Sequence, residues 1–141
     1  PTDLSALVED AAAVARRAGA VISVVAPEQC VVPLRPDAVH RCLANLIGNA
    51  QRYGGRIWLT VTPLTDTVTV LIDDDGPGVP AAERENVFRP FFRLDSARSP
   101  VTEGVGLGLT IARDVARGHG GDLRLEDSPR GGLRVRLILP K

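Results

Sequence analysis

Asp73, Asp74 and Asp75 stand in a row, and Gly76-Pro77-Gly78-Val79 follow them. Two glycines around a proline turn the chain sharply and offer backbone with no side chain in the way. A carboxylate beside such a turn can hold a flat ligand that carries hydrogen-bond donors. A second pattern is Asn45 and Asn49, four apart, with Arg52 on the next turn. Asparagine is a poor helix former, so two stacked on one helix face need a reason. A solvated face is the plainer one. The chemical one is an oxygen ligand for Mg²⁺, which keeps several waters and takes one or two protein oxygens plus phosphate. A third is Gly104-Val105-Gly106-Leu107-Gly108-Leu109. Glycines leading into a helix let a phosphate reach free N–H groups at its positive end, although such a loop alone can equally be a flexible linker. It lacks the lysine of a Walker A loop. A fourth is Phe88-Arg89-Pro90-Phe91-Phe92-Arg93 with Arg98 beyond it. It combines a local apolar plug with arginines suited to phosphate oxygens.

These residues need elements to position them. Leu4 to Arg17 is Ala-rich with an apolar face and predicts a first helix. Val21 to Ala26 and Cys30 to Leu34 predict a hairpin around Pro27-Glu28-Gln29. A second helix starts after Arg35-Pro36-Asp37, with proline in its first turn, and runs to Tyr53 before Gly54-Gly55. Its stripe is Leu43, Leu46, Ile47 and Ala50, which leaves Asn45 and Asn49 on another face. Arg56 to Thr62 and Thr67 to Asp74 alternate as strands. In the latter, Val68, Val70 and Ile72 share a face, and the same parity puts Asp74 at its edge. A buried carboxylate is costly unless it is hydrogen-bonded or paired. Ala81 to Val87 predicts a short helix, 88–108 a long loop, and Leu109 to Gly118 a third helix. Asp122 to Glu126 and Leu133 to Leu139 predict a closing hairpin. Helices recurring between strand pairs argue for an α/β two-layer sandwich with helices on one face of a mixed sheet. They argue against a Rossmann domain, which alternates strand and helix strictly.

The 141 residues fit one domain, 1–141, able to bury a core. Seventeen basic residues balance 17 acidic ones, so bulk charge implies neither nucleic acid nor an acidic partner. No run is long enough for a membrane span. The chain begins with Pro1 rather than Met and is expected to be part of a longer protein. Cys30 and Cys42 lack metal or redox spacing and suit a reducing cytosol as core residues. Lys141 is the only lysine, and with the Ala, Val and Gly richness this suits a high-G+C bacterial source.

Taken together, Asn45-Leu46-Ile47-Gly48-Asn49-Ala50, Asp74-Asp75-Gly76-Pro77-Gly78, Phe88-Arg89-Pro90-Phe91 and Gly104-Val105-Gly106-Leu107-Gly108 resemble the N, G1, F and G2 boxes of the histidine-kinase ATP-binding domain. That domain is a branch of the Bergerat-fold superfamily that includes gyrase, Hsp90 and MutL. The resemblance covers residues 37–140 and extends to PrrB-type kinases. His119-Gly120-Gly121 and Leu139-Pro140 look like the family's closing strands. The resemblance implies the Bergerat fold, with three main helices on one face of a mostly antiparallel sheet. It implies ATP and Mg²⁺ as cofactors. Asp74 would accept from the adenine amino group, with Gly76, Gly78 and Val79 beside the base. Asn49, with Asn45 next to it, would hold Mg²⁺. Arg52 would contact phosphate, and Tyr53 would lie beside the nucleotide. Phe88 would line the nucleotide pocket, Arg93 and Arg98 would contact phosphate, residues 94–104 would form a lid, and Gly104, Val105, Gly106, Leu107, Gly108 and Leu109 would cradle the phosphates.

The resemblance also implies a γ-phosphate donated to a histidine on the parent's own dimerisation domain, and a response regulator served through the full kinase. The domain would be cytoplasmic, on a parent anchored in the bacterial membrane, with no nucleic-acid or membrane contact of its own. The alternatives are a hydrolysing conformational switch and a non-catalytic nucleotide-binding module. Hydrolysing branches normally place Glu where Asn45 stands, and asparagine cannot act as a general base. His40 and His119 lack the usual acceptor context of a helical His followed by Glu or Asp.

Overall fold

The computed structural model describes residues 1–53, 55–79, 81–84 and 103–141, with the side chains of Tyr53, Glu83 and residues 103–108 outside that description. The elements in chain order are β1 (Thr2–Asp3), α1 (Leu4–Arg17), β2 (Val21–Val25), β3 (Val31–Val32), α2 (Pro36–Tyr53), β4 (Arg56–Pro63), β5 (Thr67–Asp74), α3 (Glu103–Gly118), β6 (Asp122–Asp127) and β7 (Leu133–Pro140). A single 3₁₀ turn covers Ala81–Glu83. It stands at the start of the expected short helix, whose end lies outside the described residues.

Five strands form one mixed sheet in the order β2-β4-β5-β7-β6. Only β2 and β4 run parallel, and the other three pairings are antiparallel. The core follows from strand parity. Val68, Val70 and Ile72 of β5 are buried on one face with Ile57, Leu59 and Val61 of β4 and Val135, Leu137 and Leu139 of β7. The helices cover this face with Leu4 and Val8 of α1, Leu43, Leu46 and Ile47 of α2, and Leu109, Ala112 and Ala116 of α3. This is the two-layer α/β sandwich expected from the order of elements.

The expected hairpin between Val21 and Leu34 does not form. β2 pairs with β4 in parallel, and β3 pairs with β1 in a separate two-stranded ladder. The Asp3 carboxylate explains the second pairing. Its Oδ1 caps α1 by accepting from Ser5 N–H at 3.1 Å, and it also accepts from Cys30 N–H at 3.0 Å. A helix cap therefore also fixes a strand 27 residues away.

Two further differences bear on the site. α3 starts at Glu103, so Gly104, Gly106 and Gly108 lie in its first turns and not in a loop before it. His119-Gly120-Gly121 ends α3 and is not a strand. Gly120 N–H donates to Arg117 C=O and Gly121 N–H to Ala116 C=O, with Gly120 at φ +86°. This is a Schellman stop, which needs a residue that tolerates the left-handed region.

Candidate nucleotide site

Asp74 ends the central strand β5, on its buried face, and is 4% exposed. Its Oδ1 accepts two backbone hydrogen bonds, from Gly76 N–H at 2.9 Å and from Leu133 N–H at 3.1 Å. Among the described residues Oδ2 has no such partner. One oxygen is thus fixed by backbone while, among the described residues, the other is left to accept. Burial pushes the carboxyl above the ordinary range, against the lowering effect of those two N–H groups.

The flanking aspartates have separate work. The Asp73 carboxylate lies on the opposite face of β5 and pairs in bidentate fashion with Arg134 of β7, at 2.8 and 3.0 Å. Asp75 accepts from Gly55 N–H at 2.8 Å and Arg56 N–H at 3.0 Å. Those bonds hold the carboxyl below the ordinary range. They also tie the turn that leaves α2 to the residue after Asp74. The C-terminal end of α2 is thereby brought to the end of β5.

Gly132 belongs to the same construction and was not singled out from the sequence. Its N–H donates to Asp74 C=O at 3.1 Å. A Cβ there would overlap Asp74 Oδ1 and stand 2.5 Å from Asp74 C=O. Gly78 needs its own freedom, with φ +76° and only 3.4 Å from an added Cβ to Gly132 C=O. Glycines 54 residues apart in sequence therefore meet around one carboxylate. The only local signal is that Arg130-Gly131-Gly132 lies in the connection of the expected closing hairpin.

α2 supplies the second half. Asn49 is 7% exposed, and among the described residues its Oδ1 has no hydrogen-bond partner. An orphaned buried oxygen is costly, and a cation or a water held there would satisfy it. Asn45, one turn earlier, is half-buried, and Arg52 is exposed. Among the described residues no group of three or more His, Cys, Asp or Glu gathers for a metal. An amide oxygen fits a cation held mainly by phosphate and water, which is how Mg²⁺ binds.

α3 packs antiparallel on α2, so its glycine-rich start lies at the end of α2 that carries Asn49 and Tyr53. Cys42 Sγ donates to Ala112 C=O at 3.7 Å midway along the pair. Burial pushes that thiol up to about 12. Val79 and Leu109 are buried in the core. Gly76 is half-buried. Phe88, Arg93, Arg98 and the 94–102 part of the expected lid lie outside the described residues, as does the side chain of Tyr53. For Val105 and Leu107 only the helical backbone is described.

The fold and the sequence both have known relatives. Residues 35–141 match the family described as histidine kinase-, DNA gyrase B- and HSP90-like ATPase. The sensor histidine kinase GtrS of Pseudomonas aeruginosa is 47% identical over 109 residues, which is 77% of this chain and 22% of that protein. The chain thus spans about a fifth of the length of the curated relatives it matches. The ATP-binding domain of PrrB from Mycobacterium tuberculosis superposes with a TM-score of 0.82 at 33% identity, covering 99% of this chain and 94% of that one. The histidine kinase domain of the E. coli osmosensor EnvZ gives 0.75 at 35% identity, over 99% and 86%. With the buried acid, the paired asparagines and the glycine-rich helix start in place on this sheet, the chain belongs to the histidine kinase-, gyrase B- and HSP90-like ATPase family, and the relatives it matches there are sensor histidine kinases.

Proposed function

We propose that this domain binds Mg–ATP and presents the γ-phosphate to a histidine on the dimerisation domain of a two-component sensor kinase. The observation that carries the reading is Asp74, a buried carboxylate anchored through one oxygen, with the other unengaged among the described residues. Such an acceptor selects an exocyclic amino group, and a keto group in its place would face it lone pair to lone pair. Adenine is therefore favoured over guanine. Gly78 and Gly132 keep side chains away from the base, and Asp75 holds α2 beside it.

Asn49 is the residue to hold Mg²⁺, with Asn45 next to it directly or through water. When bound, the ion would neutralise charge on the phosphates. Arg52 supplies a positive charge at the same end of α2. The unpaired N–H groups of the first turn of α3 would face the phosphates with the helix dipole behind them, and Gly104, Gly106 and Gly108, lacking side chains, would leave room for the phosphates to approach. Tyr53, Phe88, Arg93 and Arg98 complete the site in this reading, and a lid at about 94–104 closes over it. Phosphoryl transfer needs positioning and charge stabilisation more than covalent help from the protein. Asn45 has no usable basicity, so the domain favours transfer over hydrolysis.

The parent kinase, in this reading, is anchored in the membrane and serves a response regulator. Among the described residues no helix of this domain is long and apolar enough to cross a bilayer. Labelled ATP tests the reading. The domain alone should neither label itself nor turn over ATP quickly. Adding the parent's histidine-bearing dimerisation domain should move label onto that domain. Rapid hydrolysis by the isolated domain that an Asn45 substitution abolishes would instead establish a hydrolysing switch.

A further inference from the structure

We infer that His119 is a positioning residue for the nucleotide site: its neutral imidazole pins the N-terminus of α2 to the C-terminus of α3 and so sets the register that brings Asn49 to the glycine-rich start of α3. This rests on the reading of that end of the helix pair as the place where phosphate and cation bind.

His119 is the last residue before the Schellman glycine. Both ring nitrogens are engaged. Nδ1 lies 2.8 Å from Val115 C=O, and Nε2 lies 3.0 Å from the Arg35 backbone nitrogen. A carbonyl can only accept and an amide N–H can only donate. The ring must therefore carry its proton on Nδ1 and offer a lone pair at Nε2.

Arg35 is the N-cap of α2. Its C=O accepts the first helical bond, from Val39 N–H at 3.0 Å, and Pro36 follows with no N–H of its own. A capping box would satisfy the N-cap N–H with a Glu or Gln at the third helical position. That position is Ala38, which cannot reach back. His119 supplies the missing acceptor from another helix. The cap that ends α3 is thus also the cap that begins α2.

The spacing then does the rest. Seven residues separate Arg35 from Cys42, and seven separate Ala112 from His119. The contacts His119–Arg35 and Cys42–Ala112 are therefore two rungs of one antiparallel register, each two helical turns from the next. A third equal step reaches Asn49 on α2 and Val105 on α3, between Gly104 and Gly106. The pin thus bears on Asn49 from about 20 Å away, adding one axial constraint to the packed pair of helices.

Amide variants separate the two bonds of the ring. His119→Gln can reach Arg35 N–H with its side-chain carbonyl. His119→Asn can keep a donor near Val115 but is too short for Arg35, and His119→Ala loses both. In the nucleotide-free domain, the Asn and Ala variants should shift the backbone amide resonances of Asn49 and Gly104–Gly108, and the Gln variant should not. Mg–ADP affinity should fall about fivefold or more in the Asn and Ala variants and stay within about twofold in the Gln variant. Unmoved resonances in His119→Asn would overturn the pin, and so would a Gln variant as impaired as Ala. A parent domain that binds no Mg–ADP would remove the nucleotide site itself, while the resonance shifts would still decide the pin.

Discussion

Asp74 is a charge kept where water barely reaches, and its energetics should separate folding from binding. Its pKa is raised in the folded chain by burial. A carboxyl with a higher pKa in the folded state makes folding less favourable as pH rises from the unfolded value, ordinarily about 3.9, and that cost is complete above the folded value. Asp74→Asn keeps an acceptor for Gly76 and Leu133, removes the charge, and places an amide where the free oxygen stood. The variant should melt no lower than the parent at neutral pH, with the difference between them closing as pH falls through the raised pKa. It should lose at least about tenfold in adenine-nucleotide affinity, because donor now faces donor. Thermal melts across pH and a nucleotide titration check both halves. Gly132→Ala makes the complementary case. Its new methyl group overlaps the Asp74 carboxylate, so binding should vanish, and stability should drop by roughly 1–3 kcal/mol, measurable by urea unfolding. Asp74 was legible in the sequence because it continues the period-two parity of Val68, Val70 and Ile72. Gly132 was not, because its demand comes from the close approach of Asp74, 58 residues away in sequence.

At the scale of elements, the helices and long strands followed from periodicity, while short strands depended on distant partners. α1, β5 and the β6–β7 hairpin stand where their patterns put them. β2 and β3 do not pair with each other, because β3 is two residues long and its partner, β1, is fixed by the Asp3 cap. Local turn residues such as Pro27 carry no information about that bond. The glycines of α3 gave the opposite error, since helix breakers at 104, 106 and 108 argue for a loop although the chain is helical from Glu103. The edge strand β6 adds a pH-dependent rung. Glu126 accepts from both arms of Arg136 at 2.7 and 2.9 Å, and this guanidinium holds its carboxyl below the ordinary range. The rung's contribution is full above the unfolded glutamate pKa and is lost as pH falls through the lowered folded value. Glu126→Gln should therefore flatten the acid side of the stability profile. Because the pair is partly solvated, the effect at neutral pH should be under about 1 kcal/mol, read from urea midpoints.

At the scale of the whole molecule, the sheet is a platform whose buried face carries the helices and whose central strand ends in Asp74, the acid proposed to grip the base. The proposed site lies where β5, the end of α2 and the start of α3 converge, and three local devices hold that convergence. Asp75 ties α2 to β5, Gly132 lets the β6–β7 hairpin close on Asp74, and the antiparallel α2–α3 pair brings Asn49 to the glycines. Removing the amide oxygen should expose the division of labour. Asn49→Ala should weaken nucleotide binding several-fold with Mg²⁺ present and much less with the metal chelated, as titrations in the two buffers would report. An equal loss in both would make Asn49 a structural residue.

The central claim is that Asp74 grips adenine at a site completed by Mg²⁺. A calorimetric titration of the domain with Mg–ADP, run beside Mg–GDP and beside the Asp74→Asn variant, tests it most directly. Saturable binding of Mg–ADP by the parent is expected, with much weaker binding of Mg–GDP and loss of Mg–ADP binding in a variant that remains folded. Equal affinity of parent and variant for Mg–ADP, or no binding by the parent at millimolar nucleotide, would contradict it.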